Sequence, residues 1–336
     1  MTPARTAARP DAFDAHPDTP FFSHQEHFAL VASTNDAVAG WLAQGTPEVC
    51  LATADEQVRG RGREGRTWTA PAGSSLLLSL GFRPAWLSPE RTWRLAAVVS
   101  LAMADAAEEV AGLADGAIRL KWPNDLVVEF ERTPARDADA AEIGGEAGTE
   151  AGGEAGTEAR GEAGTPAGLD AGRIARPESA IRKLAGVLGE TSGLGTGDPR
   201  VVIGIGINAD WRREDFPPDL AAGMTSLRDA SGGRPVDRVH LLDAFLGRLE
   251  ARVEGLRRGH FALSDWQERQ VTTGRLVDLV YPDARRVTVA ALDVDARTGG
   301  LVVDDAGTER VIHSAEILHV RMARAAIPAA NPGIGV

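Results

Sequence analysis

An α+β domain followed by a small all-β barrel is the fold that the sequence predicts, on three observations. Two long segments carry apolar residues at helical spacing: Leu95, Val98, Val99, Ala102, Met103, Ala106 and Val110, then Val239, Leu242, Phe245, Leu246, Leu249 and Val253. Short apolar runs bounded by turn residues lie before and between them. Beyond Thr273 the texture changes to short alternating stretches punctuated by Asp-Ala, Thr-Gly-Gly and Asp-Ala-Gly turns, the pattern of a barrel of about fifty residues.

Taken in order, 26–31 reads as a strand. Ser33-Thr34-Asn35-Asp36 then caps an amphipathic helix to about Gln44, with Gly45 past its end. Strands follow at 49–54 and 75–82, a helix at 89–110, and two strands at 118–122 and 126–130 joined by a Pro-Asn-Asp turn. Further on come strands at 182–191 and 201–208, the second a near-continuous apolar run, and a helix over 236–256. The last strands fall at 276–281, 286–293, 300–304 and 309–313.

The interval 130–178 is different. Its Glu-Ala-Gly-Thr repeats hold almost no large apolar residue, so it cannot bury enough surface to offset its ordering entropy and is expected to be a disordered insertion. The strands on either side must still pair, so the insert should loop out from the tip of a hairpin. The predicted organisation is a disordered extension over 1–22, a catalytic domain over 23–272 containing the insertion, a small β domain over 273–322 and a tail over 323–336.

Composition excludes several functions. The 336 residues carry a net charge of −12, which argues against general nucleic-acid affinity. No apolar stretch is long enough to span a membrane and the first twenty residues lack a secretory apolar core, so a cytoplasmic protein is expected. The single cysteine, Cys50, lies in an apolar run and reads as a buried strand residue; it can build neither an intrachain disulfide nor a cysteine-cluster metal site.

Four segments carry chemistry. Arg59-Gly60-Arg61-Gly62-Arg63-Glu64-Gly65-Arg66-Thr67-Trp68 sets four arginines and three glycines in the eight residues from Arg59 to Arg66, a loop able to approach an anion closely and to offer always-charged planar donors. Taken alone it equally fits a basic turn or an RNA contact, and it has neither Walker nor dinucleotide-fingerprint spacing. Lys121-Trp122-Pro123-Asn124-Asp125 and Lys183-Leu184-Ala185-Gly186-Val187-Leu188-Gly189-Glu190 could be a chain reversal and an edge strand. Gly204-Ile205-Gly206-Ile207-Asn208 is a buried-looking strand whose glycines suggest that a ligand lies close to the backbone.

In sequence order, Ser33-Thr34-Asn35 and these four segments together resemble the catalytic domain of biotin protein ligases, over about residues 25–322. The resemblance implies a mixed sheet with helices on one side, akin to class II synthetase-like biotin and lipoate transferases, followed by an SH3-like C-terminal barrel. It implies that biotin and ATP form biotinyl-5'-AMP with Mg2+, and that the biotinyl group passes to a lysine of the biotin carboxyl carrier domain of a carboxylase such as acetyl-CoA carboxylase.

For the site, the resemblance implies that Ser33, Thr34, Asn35, Gln57 and the backbone of Gly60 and Arg61 read the ureido ring, while Trp68, Gly186 and Leu188 line the slot for the valeryl chain. Arg63, Arg66, Trp68, Lys121, Asn124, Asp125, Lys183 and Asn208 would meet ATP, Asn208 at the adenine. Lys183, Arg61 and Arg63 would be catalytic, and Asp125 would hold the Mg2+. Biotin's carboxylate is already ionised at neutral pH, so the reaction needs charge neutralisation and no base.

Two departures from the family pattern stand out: Ala70 where serine is common, and Gly189 where a larger apolar residue would narrow the slot. Some family members carry an N-terminal helix-turn-helix. The 32 residues before Ser33, rich in Pro, Ala and Asp, are too few for one, and no DNA binding is expected. The expected assembly is a monomer or weak homodimer. A lipoate or octanoyl transferase is the competing function from the same fold, and a nucleic-acid or regulatory binding module the one from another class.

Overall fold

The computed structural model describes residues 21–130, 180–281, 283–313 and 316–321. The predicted insertion from 131 on, all but the end of the predicted N-terminal extension, and the tail lie outside these residues; Phe130, the first residue of the predicted insertion, ends a strand. In chain order the elements are β1 (His24–Phe28), α1 (Thr34–Ala43), β2 (Cys50–Ala54), β3 (Ser75–Phe82), α2 (Trp93–Ala111), β4 (Ile118–Lys121), β5 (Asp125–Phe130), β6 (Ala180–Ser192) and β7 (Arg200–Asn208). The short α3 (Pro218–Ala221) and α4 (Leu227–Ala230), the long α5 (Arg238–Arg257) and the short α6 (Leu263–Glu268) follow. The chain ends in β8 (Arg275–Val280), β9 (Arg286–Val294), β10 (Leu301–Asp305), β11 (Thr308–Ile312) and β12 (Glu316–Arg321).

The first seven strands form one sheet in the order β1-β2-β3-β7-β6-β5-β4. It is mixed, since β1 and β2 run parallel whereas β2–β3, β3–β7, β6–β7 and β4–β5 are antiparallel. The strands flanking the insertion, β5 and β6, are neighbours. Strand alternation divides β7 between two faces. Val201, Ile203, Ile205 and Ile207 join the main core with α2 and α5, whereas Val202, Gly204, Gly206 and Asn208 point the other way.

That second face is not bare, and the expectation of helices on one side is corrected here. Val38 and Leu42 of α1, four residues apart, pack on it against Cys50, Ala52 and Val202. Gly81 lets them in: a Cβ there would stand 2.5 Å from Cys50 Sγ and 2.7 Å from Val38. The predicted cap of α1 also differs. Ser33 has the extended backbone of an N-cap residue but makes no side-chain capping bond, and the Thr34 N–H donates instead to Gln57 Oε1 at 2.8 Å.

The C-terminal strands form an antiparallel sheet ordered β11-β10-β9-β8-β12. Four of its strands match the predicted stretches; β12 was not predicted, because a register shift between Ile317 and His319 breaks the alternation that marks a strand. This sheet is tied to the first part of the chain by named bonds. Lys121 Nζ donates to Ile317 O at 2.8 Å, Trp122 Nε1 to Gly299 O at 3.1 Å, and Arg275 pairs with Glu129 at 2.8 Å. Among the described residues no helix is long and apolar enough to cross a membrane.

Cys50 is fully buried in β2, as its apolar surroundings predicted, and burial pushes its thiol up to about 11. An unfolded thiol ionises first, so this group lowers stability as pH rises from about 9 towards 11 and is without effect below that window. Native protein at pH 8 should resist alkylation and react only across the denaturant range that unfolds it. Labelling of the folded protein at the rate of a free thiol would contradict this packing.

Candidate functional site

Three glycines on adjacent strands leave a gap in the α1 face of the sheet. Gly186 of β6 pairs with Gly206 of β7, and Leu188 pairs with Gly204. The space that their missing side chains leave is used. A Cβ at Gly206 would lie 2.7 Å from the Trp68 ring, and one at Gly204 only 2.1 Å from Asn35 Oδ1. At Gly186 a Cβ would meet Trp68 and Lys183 Nζ, each at 3.3 Å. Above this floor is an inner cavity of about 150 Å³, lined by Trp68, Gly186, Leu188, Gly204 and Gly206 together with the polar and charged residues below.

The polar wall comes from the start of α1. Ser33, Thr34, Asn35 and Gln57 all line the inner cavity. Gln57 Oε1 accepts from the Thr34 N–H at 2.8 Å and lies 3.2 Å from its hydroxyl. Ser79, not singled out in the sequence, sits beneath them on β3 and is fully buried. Its hydroxyl lies 2.6 Å from Asn35 Oδ1, which can only accept, and 2.7 Å from Thr34 Oγ1. A serine inside the apolar run Leu76–Leu80 is the signal that could have found it, because a buried hydroxyl needs a partner.

An outer cavity of about 750 Å³ shares Arg61, Arg63, Arg66, Lys121, Asn124 and Asp125 with the inner one. The Arg-Gly run folds back on itself: Trp68 N–H donates to Gly60 O at 2.9 Å and Gly62 N–H to Arg66 O at 2.7 Å. Gly60 is obligatory there, since a Cβ would lie 2.3 Å from Trp68 O. From the β6 side Lys183 reaches in, 2.7 Å from Asp125 Oδ1 and 5.7 Å from the centre of the Trp68 ring. Asn124 staples the β4–β5 turn to β6, its Nδ2 donating to Val187 O at 2.8 Å while its own carbonyl accepts from the Val187 N–H at 2.8 Å.

Three expectations fare differently. Asn208 is fully buried and lines neither cavity; its Nδ2 donates to Thr225 O at 3.0 Å. Arg61 does not extend its guanidinium as a free cation. Nη1 pairs with Asp36 at 2.8 Å and Nη2 with Glu190 at 3.0 Å, pairings that no single motif discloses because each partner comes from a different segment. Gly189 does not widen the inner cavity, since strand alternation turns it away from Leu188 and a side chain there would meet Ile203. No group of three or more His, Cys, Asp or Glu gathers to hold a metal ion among the described residues. Asp125 could lend a single carboxylate, and it is already paired with Lys183.

With this geometry in view, comparison with known proteins is specific. A model of the biotin/lipoate A/B protein ligase family matches residues 27–137. Over 296 residues the chain is 28% identical to the biotin--[acetyl-CoA-carboxylase] ligase of Mycobacterium tuberculosis, covering 87% of this chain and 88% of that one. It is 28% identical over 260 residues to the bifunctional ligase/repressor BirA of Escherichia coli, covering 76% of this chain but only 61% of that longer protein. It spans about half of BirA from Bacillus subtilis. Among solved structures, the biotin protein ligase of Aquifex aeolicus in complex with biotin and ATP superposes with a TM-score of 0.61 at 21% identity, covering 90% of this chain and all of that one. That likeness fixes the fold.

Replacing Gly206 with Val should expel the Trp68 indole from the cavity wall. The fraction of tryptophan emission quenched by acrylamide should rise while the far-ultraviolet dichroism stays that of the native protein. Unaltered quenching would show that the wall can absorb the added volume.

Proposed function

We propose, from the premise that this chain is a member of the biotin/lipoate A/B protein ligase family, that it is an ATP-dependent biotin protein ligase. It joins biotin and ATP into biotinyl-5'-AMP with release of pyrophosphate, then transfers the biotinyl group to the amine of a lysine of a carboxylase's biotin carboxyl carrier domain, breaking the acyl–phosphate bond and releasing AMP. The observation that carries this reading is convergence. An apolar slot, a polar end and cationic side chains from two remote segments, the Arg-Gly loop and β6, meet at one cavity.

Each part has a chemical task. A ureido group presents one acceptor and two donors, and Ser33, Thr34, Asn35 and Gln57 at the inner cavity, with the backbone of Arg61 and of Gly60 at the outer one, would supply complementary groups. Trp68, Gly186 and Leu188 form the apolar slot for the valeryl chain, where burial contributes about 0.8 kcal/mol per methylene. At the mouth, carboxylate and triphosphate must approach each other against their own repulsion. Arg63, Arg66, Lys121 and Lys183 lower that barrier by placing positive charge where the two anions meet, with Asn124 beside them.

Asp125 would be the residue to hold Mg2+, with a single carboxylate, since no cage of three or more ligating side chains exists among the described residues. When bound it would neutralise charge on the triphosphate. Lys183, released from Asp125 by an incoming anion, is placed to serve the adenylate in both steps.

The decisive assay is incubation with ATP, Mg2+, biotin and a biotin carboxyl carrier domain, read as a mass gain of one biotinyl group on the acceptor. Lipoate in place of biotin separates the two branches of the family. Lys183→Ala should lower biotin-dependent ATP–pyrophosphate exchange by about 10²–10³-fold, or roughly 3–4 kcal/mol of transition-state stabilisation, with an unaltered melting temperature. Undiminished turnover in that variant would remove Lys183 from the mechanism.

A further inference from the structure

We infer that Glu190 is a positioning residue: with Asp36 it clamps the Arg61 guanidinium, so that the Arg-Gly loop offers the substrate its backbone in a fixed shape and not the Arg61 charge. The inference rests on the ligase reading above.

On β6 the alternation that sends Gly186 and Leu188 to the inner cavity sends Glu190 to the same face, at the outer cavity. There Glu190 Oε2 accepts from Asn35 Nδ2 at 2.6 Å, and its two oxygens stand 3.1 and 3.0 Å from Arg61 Nη2. Arg61 Nη1 reaches Asp36 Oδ1 at 2.8 Å. Asn35 and Asp36 are neighbours in the chain, so Asn35, Glu190, Arg61 and Asp36 form a closed ring joining the first turn of α1, β6 and the loop. Asn35 is itself held from below by Ser79 and can lie flat only because position 204 is glycine.

Charge decides what this ring does. One guanidinium enclosed by two carboxylates sums to −1, so the ring does not attract an incoming carboxylate or triphosphate. Nor is it chiefly a source of stability. Arg61, Asp36 and Glu190 are 42%, 43% and 41% exposed, and ion pairs in water contribute little. What remains is geometry. A planar fork with partners on two sides has one orientation, and Arg61 sits in the bridge that pairs it with Thr67, next to the Gly60–Trp68 bond that sets the cavity wall. Holding Arg61 holds Trp68, which removes an ordering cost from substrate binding.

Biotin-dependent ATP–pyrophosphate exchange, measured against biotin concentration, tests this in the wild type, Glu190→Ala, Glu190→Gln, Arg61→Ala and the Glu190→Ala/Arg61→Ala double variant. Absence of exchange in the wild type would defeat the ligase reading itself, separately from this inference. Given an active wild type, Glu190→Ala should raise the KM for biotin by about tenfold, the scale of a modest misplacement of site groups, with kcat at saturation little changed. The double variant should be no worse than the worse single one, because both remove the same clamp. Glu190→Gln, which keeps the shape but not the charge, should move KM in the same direction and serves if the alanine variant melts early. Were Arg61 a direct clamp on substrate anions, removing Glu190 would free it and KM would fall. A KM at or below the wild-type value in both Glu190 variants, or additive losses in the double variant, would overturn the assignment.

Discussion

The register that sets Gly186 opposite Gly206 is the constraint on which the rest of the site depends. A sheet face covered by side chains cannot admit a ligand to its backbone, and here three positions on two adjacent strands are bare. Trp68, Lys183 and Asn35 occupy the room so made, each from a different part of the chain. A one-residue slip of β6 against β7 would turn Leu188 and Gly186 to the core and bring Val187 and Gly189 to the cavity. The main core prevents that slip. Ile203, Ile205 and Ile207 on β7 and Val187 on β6 are buried against α2 and α5, so the packing on one face fixes the gap on the other.

Electrostatics explains how a chain of net charge −12 can still be built to handle anions. The excess of carboxylates is a property of the whole chain, whereas reactivity is set within a few ångströms, where Arg63, Arg66, Lys121 and Lys183 border one cleft. Their local partners matter as much as their number. Lys183 is balanced by one carboxylate and Lys121 donates to a backbone carbonyl, while Arg61 is enclosed by two carboxylates. Residues with the same formal charge therefore have different tasks.

The sequence disclosed most of the architecture because the relevant signals are local. Helical spacing found α2 and α5, turn residues bounded the strands, and Gly204-Ile205-Gly206 marked a place where other groups come close to the backbone, here Asn35 and Trp68. What escaped is what depends on distant partners. Glu190 closes the Lys183–Glu190 run, but its partners Asn35 and Arg61 lie 155 and 129 positions away, and nothing local names them. Ser79 reads as one polar residue in an apolar strand until Asn35 and Thr34 are set over it. The placement of α1 on the second face depends on Gly81 yielding space, and β12 pairs with β8 across the intervening strands. Asn208 shares the face of Gly204 and Gly206 but is fully covered, its Nδ2 held by Thr225 O, which a local reading of the strand end does not disclose.

The Asp125–Lys183 pair shows how far the site is insulated from the chain that connects its parts. One partner starts β5, the other lies near the start of β6, and residues 131–179 separate the two strands in sequence, yet the two charges meet at 2.7 Å. Closing a longer loop costs only about 0.6 kcal/mol per doubling of its length. Each strand also has its own anchor that owes nothing to the connection: β5 to β4, β6 to β7, and the β4–β5 turn to β6 through the reciprocal bonds of Asn124 and Val187. An insertion at this point of the sequence is therefore tolerated because the geometry of the reacting groups is written into strand pairing, and the length of the link enters only as a small entropic term.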